Sequence, residues 1–333
     1  MNKSLFLLFT FLITLSSCSV KKIVVKSTVN AMEKSRHVFE TEDDLEIAEI
    51  SLASNVKLLE VMLEQDPENE KLNLFLAETF SLFALAFVED KMEAHQFSDD
   101  EKSEYHQTRA VRLYLRARDY AFKTILEPLQ YSTVDEIKLS TLKERLPSLD
   151  TKHVRAVFWA AFSWGAAINL NRQDMEAISN LPIVNLMMDY VIKNDETYYF
   201  GGAHLFKGMF YGGRPKVLGG NREKAMKHFK RALEISKGNI LLNYYYEART
   251  LCIQFQDYKC FKDNLNKIID APHDHYKQQR LANSVAKRKA KRLLKLAPEF
   301  FLDIPEEDLE TDEDDNDEDV NESEDEDSED DTE

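Results

Sequence analysis

The stretch that decides the fold is residues 201–236, GGAHLFKGMFYGGRPKVLGGNREKAMKHFKRALEIS. Apolar residues recur every three or four positions on both sides of a turn rich in glycine, which predicts two helices. Small side chains stand at Gly208, Ala225 and Ala232, and rings stand at Tyr211 and Phe229. A ring facing a small residue lets two helices approach closely. The stretch therefore predicts an antiparallel helical hairpin.

The spacing of these residues is that of a tetratricopeptide (TPR) repeat, once a five-residue excess in the turn is set aside. The next unit, residues 241–272, fits the pattern except at Lys267, where a small residue is expected; the matching residues are Tyr244, Ala248, Leu251, Cys260 and Pro272. Weaker matches lie at Asn55, Leu59, Pro67, Ala77, Phe80, Ala117, Ala121, Trp159, Phe162, Ser163 and Ala166. Any helical hairpin could produce one match, but several in phase favour a repeat array.

Helical spacing also covers the rest of the chain up to residue 300. Possible caps at Thr41, Asp66 and Ser98 open the first helices, and all nine glycines lie between Gly165 and Gly238. The expected helices span residues 41–64, 66–90, 98–126, 151–169, 182–194, 198–211, 221–236, 239–254, 257–270 and 276–296. No segment shows sustained strand-type alternation. We expect an all-α fold, a TPR-like array of antiparallel helix pairs over residues 41–300, with a concave face or central cavity.

The N-terminus has the pattern of a lipoprotein signal peptide over residues 1–17. Lys3 precedes a short apolar core, and Leu15-Ser16-Ser17-Cys18 is similar to the bacterial lipobox, in which the cysteine is acylated. An ordinary secretory signal that contains a cysteine is the alternative. Residues 18–40 are expected to be a linker that carries the lipid. A lipid on Cys18 predicts a periplasmic protein anchored to the envelope, and Ser19 favours the outer membrane over the inner.

The acidity of the protein comes from its C-terminal tail. The stretch from residue 306 to 333 holds 20 acidic residues and no basic one, so removing it changes the formal net charge from −17 to +3. Such a run is expected to be disordered, and we assign residues 301–333 to the tail. The basic run from Lys287 to Lys295 is expected to be the solvated face of a helix. Nucleic acid is therefore not an expected partner.

Catalysis and metal binding find little support in the residue pattern. His273 and His275 could contact a metal, but no third ligand is evident, so we expect neither metal nor cofactor. Cys252 and Cys260 could form a disulfide in an oxidising compartment, although buried free cysteine is the commoner state. An enzyme would need a converging cluster of His, Asp or Glu, which spacing alone does not reveal. We expect a binding protein and not an enzyme.

Several distinctive motifs occur along the chain. They are Phe87-Val88-Glu89-Asp90, Tyr114-x-Arg116-Ala117-Arg118-x-Tyr120-Ala121, Phe158-Trp159-x-Ala161-x-Ser163-Trp164-x-x-x-Ile168-Asn169, Tyr198-Tyr199-x-Gly201-Gly202-Ala203-His204-Leu205-Phe206, Arg214-Pro215, Leu218-Gly219-Gly220, Ala225-x-x-His228-Phe229-x-x-Ala232-Leu233 and Ala286-Lys287-Arg288-Lys289-Ala290. Together they resemble one known family, the T-component of tripartite ATP-independent periplasmic (TRAP) transporters, over about residues 45–300, without the acidic tail. The resemblance implies a TPR-like protein that associates with the substrate-binding P-component of a TRAP transporter and self-assembles, with a trimer as the expected assembly.

The same resemblance implies a role in the uptake of small organic acids or hydrophobic ligands. A TPR lipoprotein of another envelope assembly, such as one for outer-membrane protein insertion or envelope maintenance, is the alternative. The candidate ligand or partner residues are Glu89, Asp90, Trp159, Trp164, Asn169, Tyr198, Tyr199, Gly201, Gly202, His204 and Arg214. Glu89 and Asp90 are expected at a helix end, where a carboxylate opposes the helix dipole and favours an arginine partner, for example from residues 112–118.

Overall fold

The computed structural model describes residues 21–308, and within that range the chain forms helices and loops without a β-strand. The prediction of an all-α fold is confirmed. In chain order the main helices are α1 (residues 21–34), α2 (Leu45–Leu63), α3 (Glu70–His95), α4 (Asp100–Lys123), α5 (Leu139–Arg145), α6 (Val154–Leu170), α7 (Leu181–Asp195), α8 (Tyr198–Gly212), α9 (Arg222–Ser236), α10 (Leu242–Cys252), α11 (Tyr258–Ile269) and α12 (Arg280–Lys295).

Two of these helices contain a wide turn. Helix α3 passes through a π-helical segment at Ala84–Val88, and α10 becomes π-helical over Glu247–Cys252. A π-helical turn inserts an extra residue into the helix and often marks a functional site. Residues of both segments line the cavity described below.

Polar caps start the first helices slightly later than predicted. Asp44 rather than Thr41 accepts backbone N–H bonds at the start of α2, and Asn69 rather than Asp66 does so for α3. Asp99 caps α4, next to the predicted Ser98. Each of these residues has the extended backbone that a cap requires, so its carboxylate or amide oxygen meets the free N–H groups of the first turn.

The predicted hairpin of residues 201–236 is present as α8 and α9. A Cβ atom added to Gly208 would lie 2.9 Å from the ring of Phe229, which is fully buried. The glycine is therefore the reason that the two helices can touch. Ala225 and Ala232 are likewise fully buried on the facing side of α9.

The C-terminal helix returns to the N-terminal half of the chain. Helix α12 packs against α10, α11 and α2, and its basic side chains reach the last turns of α3. Lys289 Nζ donates to Glu93 Oε2 at 2.8 Å, Arg292 donates to Asp90 Oδ1 at 2.5 Å, and Arg288 Nε lies 2.9 Å from Asp90 Oδ2. We call these five residues the closing cluster. It joins the end of the repeat array to its start.

The closing cluster corrects two predictions. Glu89 and Asp90 do not end a helix, because α3 continues through its π-helical turn to His95. The arginines that pair with Asp90 come from α12 instead of α4. Helix α4 contributes Tyr114, whose hydroxyl donates to Glu89 Oε2 at 2.7 Å.

A further correction concerns the basic run on α12, which is not a solvated face. Lys289 is fully buried, Arg288 and Arg292 are half-buried, and Lys291 and Lys295 remain exposed. Spacing alone could not separate these lysines and arginines, because buried carboxylates on a helix about 200 residues away decide which of them are covered.

Both ends of the described chain are more ordered than expected. The segment assigned to a linker contains α1, which buries Val25 and Val29 against α2 and α3. Phe301, assigned to the tail, is buried against Phe261 at a ring distance of 4.9 Å. The predicted signal peptide, Cys18 and the tail beyond residue 308 lie outside the described residues.

The two remaining cysteines form a disulfide. Cys252, at the end of α10, is joined to Cys260 on α11, so the expectation of free cysteines is wrong. The turn between α10 and α11 brings the two side chains together. A separation of eight residues in the sequence does not by itself predict the disulfide.

One described helix is long and apolar enough to cross a membrane. It is α3, and 89% of its most apolar stretch is buried inside the molecule. Neighbouring helices cover it, as expected of a core helix.

The closing cluster predicts a large effect of Lys289 on stability. Lys289→Ala leaves Glu93 with one cationic partner, Arg292, in a buried site, so we expect the free energy of unfolding to fall by about 3 kcal/mol. Urea unfolding followed by circular dichroism measures the change. Lys291→Ala on the same helix is the control, with an expected change within about 0.5 kcal/mol. Equal effects of the two substitutions would contradict the importance of the closing cluster.

Candidate ligand cavity

A cavity of about 630 Å³ lies in the middle of the molecule. Its wall takes residues from α2, α3, α4, α6, α8, α10 and α12, so it is the space that the closed array surrounds. The volume is within the range of small-molecule pockets, roughly 300–1,000 Å³. Most of the wall is apolar and aromatic.

Two helices form the long walls of the cavity. On α6 the lining residues Phe158, Phe162 and Asn169 lie on one stripe, which at a rise of ~1.5 Å per residue is about 16 Å long. Helix α8 runs alongside in the same direction, since Tyr199 lies 5.7 Å from Phe158 between ring centroids and Phe206 packs on Gly165. The cavity is therefore elongated, with one end near Phe158 and the other near Asn169.

Charges neutralise each other at the first end. Arg36 pairs with the buried carboxylate of Glu78, which also accepts from Arg155 at 3.2 Å. Burial alone would lower the pKa of Arg36, but Glu78 outweighs that effect and raises it. Burial raises the pKa of the Glu40 carboxyl in the same wall. The cation that lines this end of the cavity, Arg36, is therefore already paired with a carboxylate of the protein, Glu78.

The second end is cationic. Arg172 and Arg214 line the cavity there, and neither lies within ion-pair distance of a carboxylate among the described residues. Arg172 donates to the carbonyl and side-chain oxygens of Asn169 at 3.0 and 2.5 Å. Arg214 donates to the Phe210 carbonyl at 2.6 Å, and its guanidinium lies 4.3 Å from the centroid of that ring.

The pKa values of both arginines reflect this crowding. Burial lowers the pKa of Arg214 to about 10, and repulsion from Arg172 adds to the effect. Arg172 keeps access to solvent, but protein atoms around its guanidinium displace part of the water. This desolvation lowers the pKa of Arg172, and repulsion from Arg249 lowers it further. Both side chains remain cations at neutral pH at the same end of the cavity.

One carboxyl group lies in the middle of the wall. Glu89 lines the cavity beside Tyr114, and burial raises its pKa, with repulsion from Glu93 adding to the rise and Lys289 opposing it. Glu93, outside the lining, has a lowered pKa because Lys289, Arg249 and Arg292 outweigh its burial. Asp90, Glu93 and Lys289 lie outside the lining, so the ion pairs of the closing cluster sit behind the wall.

A left-handed turn shapes the first end of the cavity. Tyr199, Phe200 and Gly201 have φ values of 49°, 56° and 79°, a conformation that costs about 1–2 kcal/mol per non-glycine residue. The turn directs Tyr199 and Phe200 to the cavity wall. Gly202 follows, and a Cβ atom there would lie 2.8 Å from the ring of Phe158. Gly201 therefore permits the bend, and Gly202 permits the close packing at the cavity wall.

The candidate residues separate into two groups. Those that line the cavity are Glu89, Asn169, Tyr199, Gly202 and Arg214, and those outside the lining are Asp90, Trp159, Trp164, Tyr198, Gly201 and His204. Trp159 is fully buried and donates to the Tyr198 hydroxyl at 3.1 Å, whereas Trp164 packs edge-on against Phe122. Both tryptophans are core residues.

Sequence reasoning missed Arg172 and most of the apolar wall. Arg172 follows a helix end and has no motif around it. Phe162, Phe206, Met209 and Tyr246 look like ordinary core positions at helical spacing. Only the meeting of several helices shows that these side chains surround a cavity.

His204 belongs to a separate cluster behind α8. Its Nδ1 lies 2.9 Å from Nδ1 of His228, and its Nε2 lies 3.1 Å from Glu196. Burial lowers the pKa of His228 to about 4, and repulsion from His204 and Lys207 adds to the effect. Burial also lowers the pKa of His204, although Glu196 opposes it. The pair therefore remains uncharged at neutral pH.

This pair predicts a loss of stability in mild acid. Since His228 titrates near pH 6.5 when unfolded and about 4 when folded, the unfolded chain binds more protons between those values. The stabilising contribution is present above about pH 6.5 and is lost as the pH falls towards 4. Urea unfolding at a series of pH values should show a smaller decline for His228→Gln than for wild type. The exposed His37→Gln is the control, and an unchanged decline in His228→Gln would contradict the assignment.

The fold and the cavity together define a class: an all-helical repeat protein closed around an apolar chamber with one cationic end. The chain belongs to the TRAP transporter T-component family, whose description matches residues 41–301. That is a family of transporter components and not of enzymes, so membership implies a TRAP-associated role in the periplasm or envelope.

A bacterial relative is also similar over most of its length. An uncharacterized protein of Treponema pallidum (strain Nichols) is 23% identical over 271 residues, which cover 80% of this chain and 83% of that protein. The similarity therefore extends over nearly the whole described helical domain.

Proposed function

We propose that this chain is a lipid-anchored T-component that holds an apolar ligand in its central cavity and docks on the periplasmic substrate-binding P-component of a TRAP transporter. The observation that carries the proposal is the elongated, mainly apolar cavity of about 630 Å³ in a member of the T-component family. Apolar surface facing an internal cavity is costly in water and favours an apolar occupant.

The cavity is built to remain open. Gly165 and Gly202 permit the close approach of Phe206 and Phe158, so the walls pack tightly while the space between them stays unfilled. The strained turn at Tyr199 and Phe200 is retained at the same wall. Strain of this kind gathers at functional sites, where the surrounding fold holds it in place.

Ligand binding is tested by filling the cavity. Ala166 lines the space about one helical turn before Asn169, so Ala166→Trp should place an indole ring in the cavity and reduce the binding of a neutral apolar fluorescent probe, phenylnaphthylamine, by at least ~10-fold. Fluorescence titration measures the affinity. Ala53→Trp, at an exposed position on α2, is the matched control and should bind the probe as wild type does. Absence of binding to wild type, or equal binding to Ala166→Trp, would overturn the ligand part of the proposal.

The second part of the proposal concerns the lipid anchor and the protein partner. A lipid on Cys18 would tether the chain to the envelope, outer membrane in preference to inner, and the cavity-bearing domain would face the P-component. Self-assembly, which the family resemblance implies, has a candidate surface in the exposed apolar face of α2. This face is formed by Ile47, Ile50, Leu58 and Val61. Sedimentation of the purified chain measures the assembly state, and a monomer would contradict self-assembly.

Anchor and partner are tested in one fractionation. The tagged wild-type chain should sediment with membranes and recover a TRAP P-component from an envelope extract. A version in which a cleavable signal without a cysteine replaces residues 1–18 should move to the periplasmic fraction and still recover the P-component.

Two outcomes would contradict this second part. Retention of the cysteine-free version on membranes would overturn the lipid anchor. Recovery of outer-membrane insertion factors without any P-component would favour a scaffold of another envelope assembly.

A further inference from the structure

The cavity of this protein has chemically different ends, and the difference bears on the kind of ligand it holds. Three cationic side chains line it: Arg36, Arg172 and Arg214. Arg36 is already paired with Glu78 at the first end. Arg172 and Arg214 contact only neutral oxygens and a ring within the described residues.

Two arginines that line the same end of a cavity without a carboxylate partner are unfavourable unless something compensates them. Each guanidinium presents a planar set of donors that matches an oxyanion. Arg249, whose guanidinium donates to Gln96 and is also without a carboxylate partner among the described residues, adds positive potential nearby. Repulsion between Arg172 and Arg214 would be relieved by one negative charge at that end of the cavity.

The apolar walls indicate the chemistry of the rest of such a ligand. From Asn169 the lining runs through Phe162 to Phe158 along α6, a length of about 16 Å at ~1.5 Å per residue. The carboxyl group in the wall along that path is Glu89, to which the Tyr114 hydroxyl donates at 2.7 Å. A single extended acyl chain fits the length and chemistry of the space.

We propose that the ligand is an amphipathic oxyanion with one apolar chain, whose head group binds Arg172 and Arg214 and whose chain lies along α6 and α8. The inference rests on the proposed function and deepens it by naming the ligand class. A carboxylate and a phosphate monoester are two sources of the same head-group chemistry, and the experiment separates them.

The test compares four probes on the full chain carrying the cysteine-free signal, each below its micelle concentration. Calorimetry or displacement of phenylnaphthylamine gives the affinities of dodecanoate, dodecyl phosphate, dodecanol and dodecyltrimethylammonium. We expect at least one anion to bind ~10-fold or more tightly than dodecanol, and the cation to bind more weakly than dodecanol. The tighter anion identifies the head group.

Variants assign the preference to the two arginines. Arg172→Gln combined with Arg214→Gln should bind the anions no more tightly than dodecanol, while its dodecanol affinity stays within ~2-fold of wild type, which shows that the fold is intact. Lys216→Gln removes a nearby exposed charge outside the lining and should keep the preference. Ala166→Trp should weaken the anions and dodecanol alike.

The outcomes separate this inference from the proposed function. If dodecanol binds but the anions gain nothing, or the double variant keeps their advantage, the head-group site is wrong and the apolar cavity stands. If none of the probes binds wild type, the apolar ligand itself fails. The acidic tail is a competing occupant, because Phe300 at its start lies 4.8 Å from the Arg249 guanidinium. An anion preference that appears only in a chain ending at residue 308 would assign the arginines to the tail and overturn the proposal.

Discussion

The closing cluster between α3 and α12 is the interaction on which the rest of the structure depends. A stack of helix pairs is ordinarily open, because each pair contacts only its neighbours. Here Lys289, Arg288 and Arg292 reach back to Asp90 and Glu93, and the last helix also packs on α2. The array becomes a ring, and a ring of helices encloses a space.

Burying such a cluster requires every charge to have a partner, because an unpaired buried ion is strongly destabilising. Glu93 meets both Lys289 and Arg292, and the hydroxyl of Tyr245 donates to it at 3.0 Å. Asp90 meets Arg288 and Arg292. The cluster thus fixes which helices meet, and hydrophobic packing around it supplies the stability. The charge is confined behind the wall, which leaves the cavity free for apolar contacts.

The polarity of the cavity follows from where helices end. Along α6, ring-bearing residues occupy the interior turns, and charged and amide side chains appear only near the termini, at Arg155 and Asn169. At the first terminus Glu78 compensates Arg36 and Arg155. At the second, the described residues supply guanidinium groups without carboxylates. This asymmetry gives the chamber a direction, as expected of a site that takes up a ligand with two unlike ends.

Sequence patterns predicted the hairpin of α8 and α9, because Phe229 and the small residues that face it lie within 36 residues of each other in the sequence. They also named Glu89, Asn169, Tyr199, Gly202 and Arg214 as candidate ligand or partner residues, and the structure places all five in the cavity lining. Trp159 and Trp164, which were named with them, lie in the core, because helical spacing cannot distinguish a side chain that faces a chamber from one that faces the core. The prediction that a helix ends at Asp90 was wrong, because a π-helical turn carries α3 past that point.

By itself the sequence determined the helical class, the hairpin spacing and the family, since all three depend on periodicity and on residues near one another in the chain. Only the tertiary structure decided that the array closes, that Lys289 is buried while Lys291 is not, and that Arg172 joins Arg214 at the end of an apolar chamber. The physical reason is that burial and charge pairing depend on distance in space. The partners concerned are separated by tens to hundreds of residues along the chain.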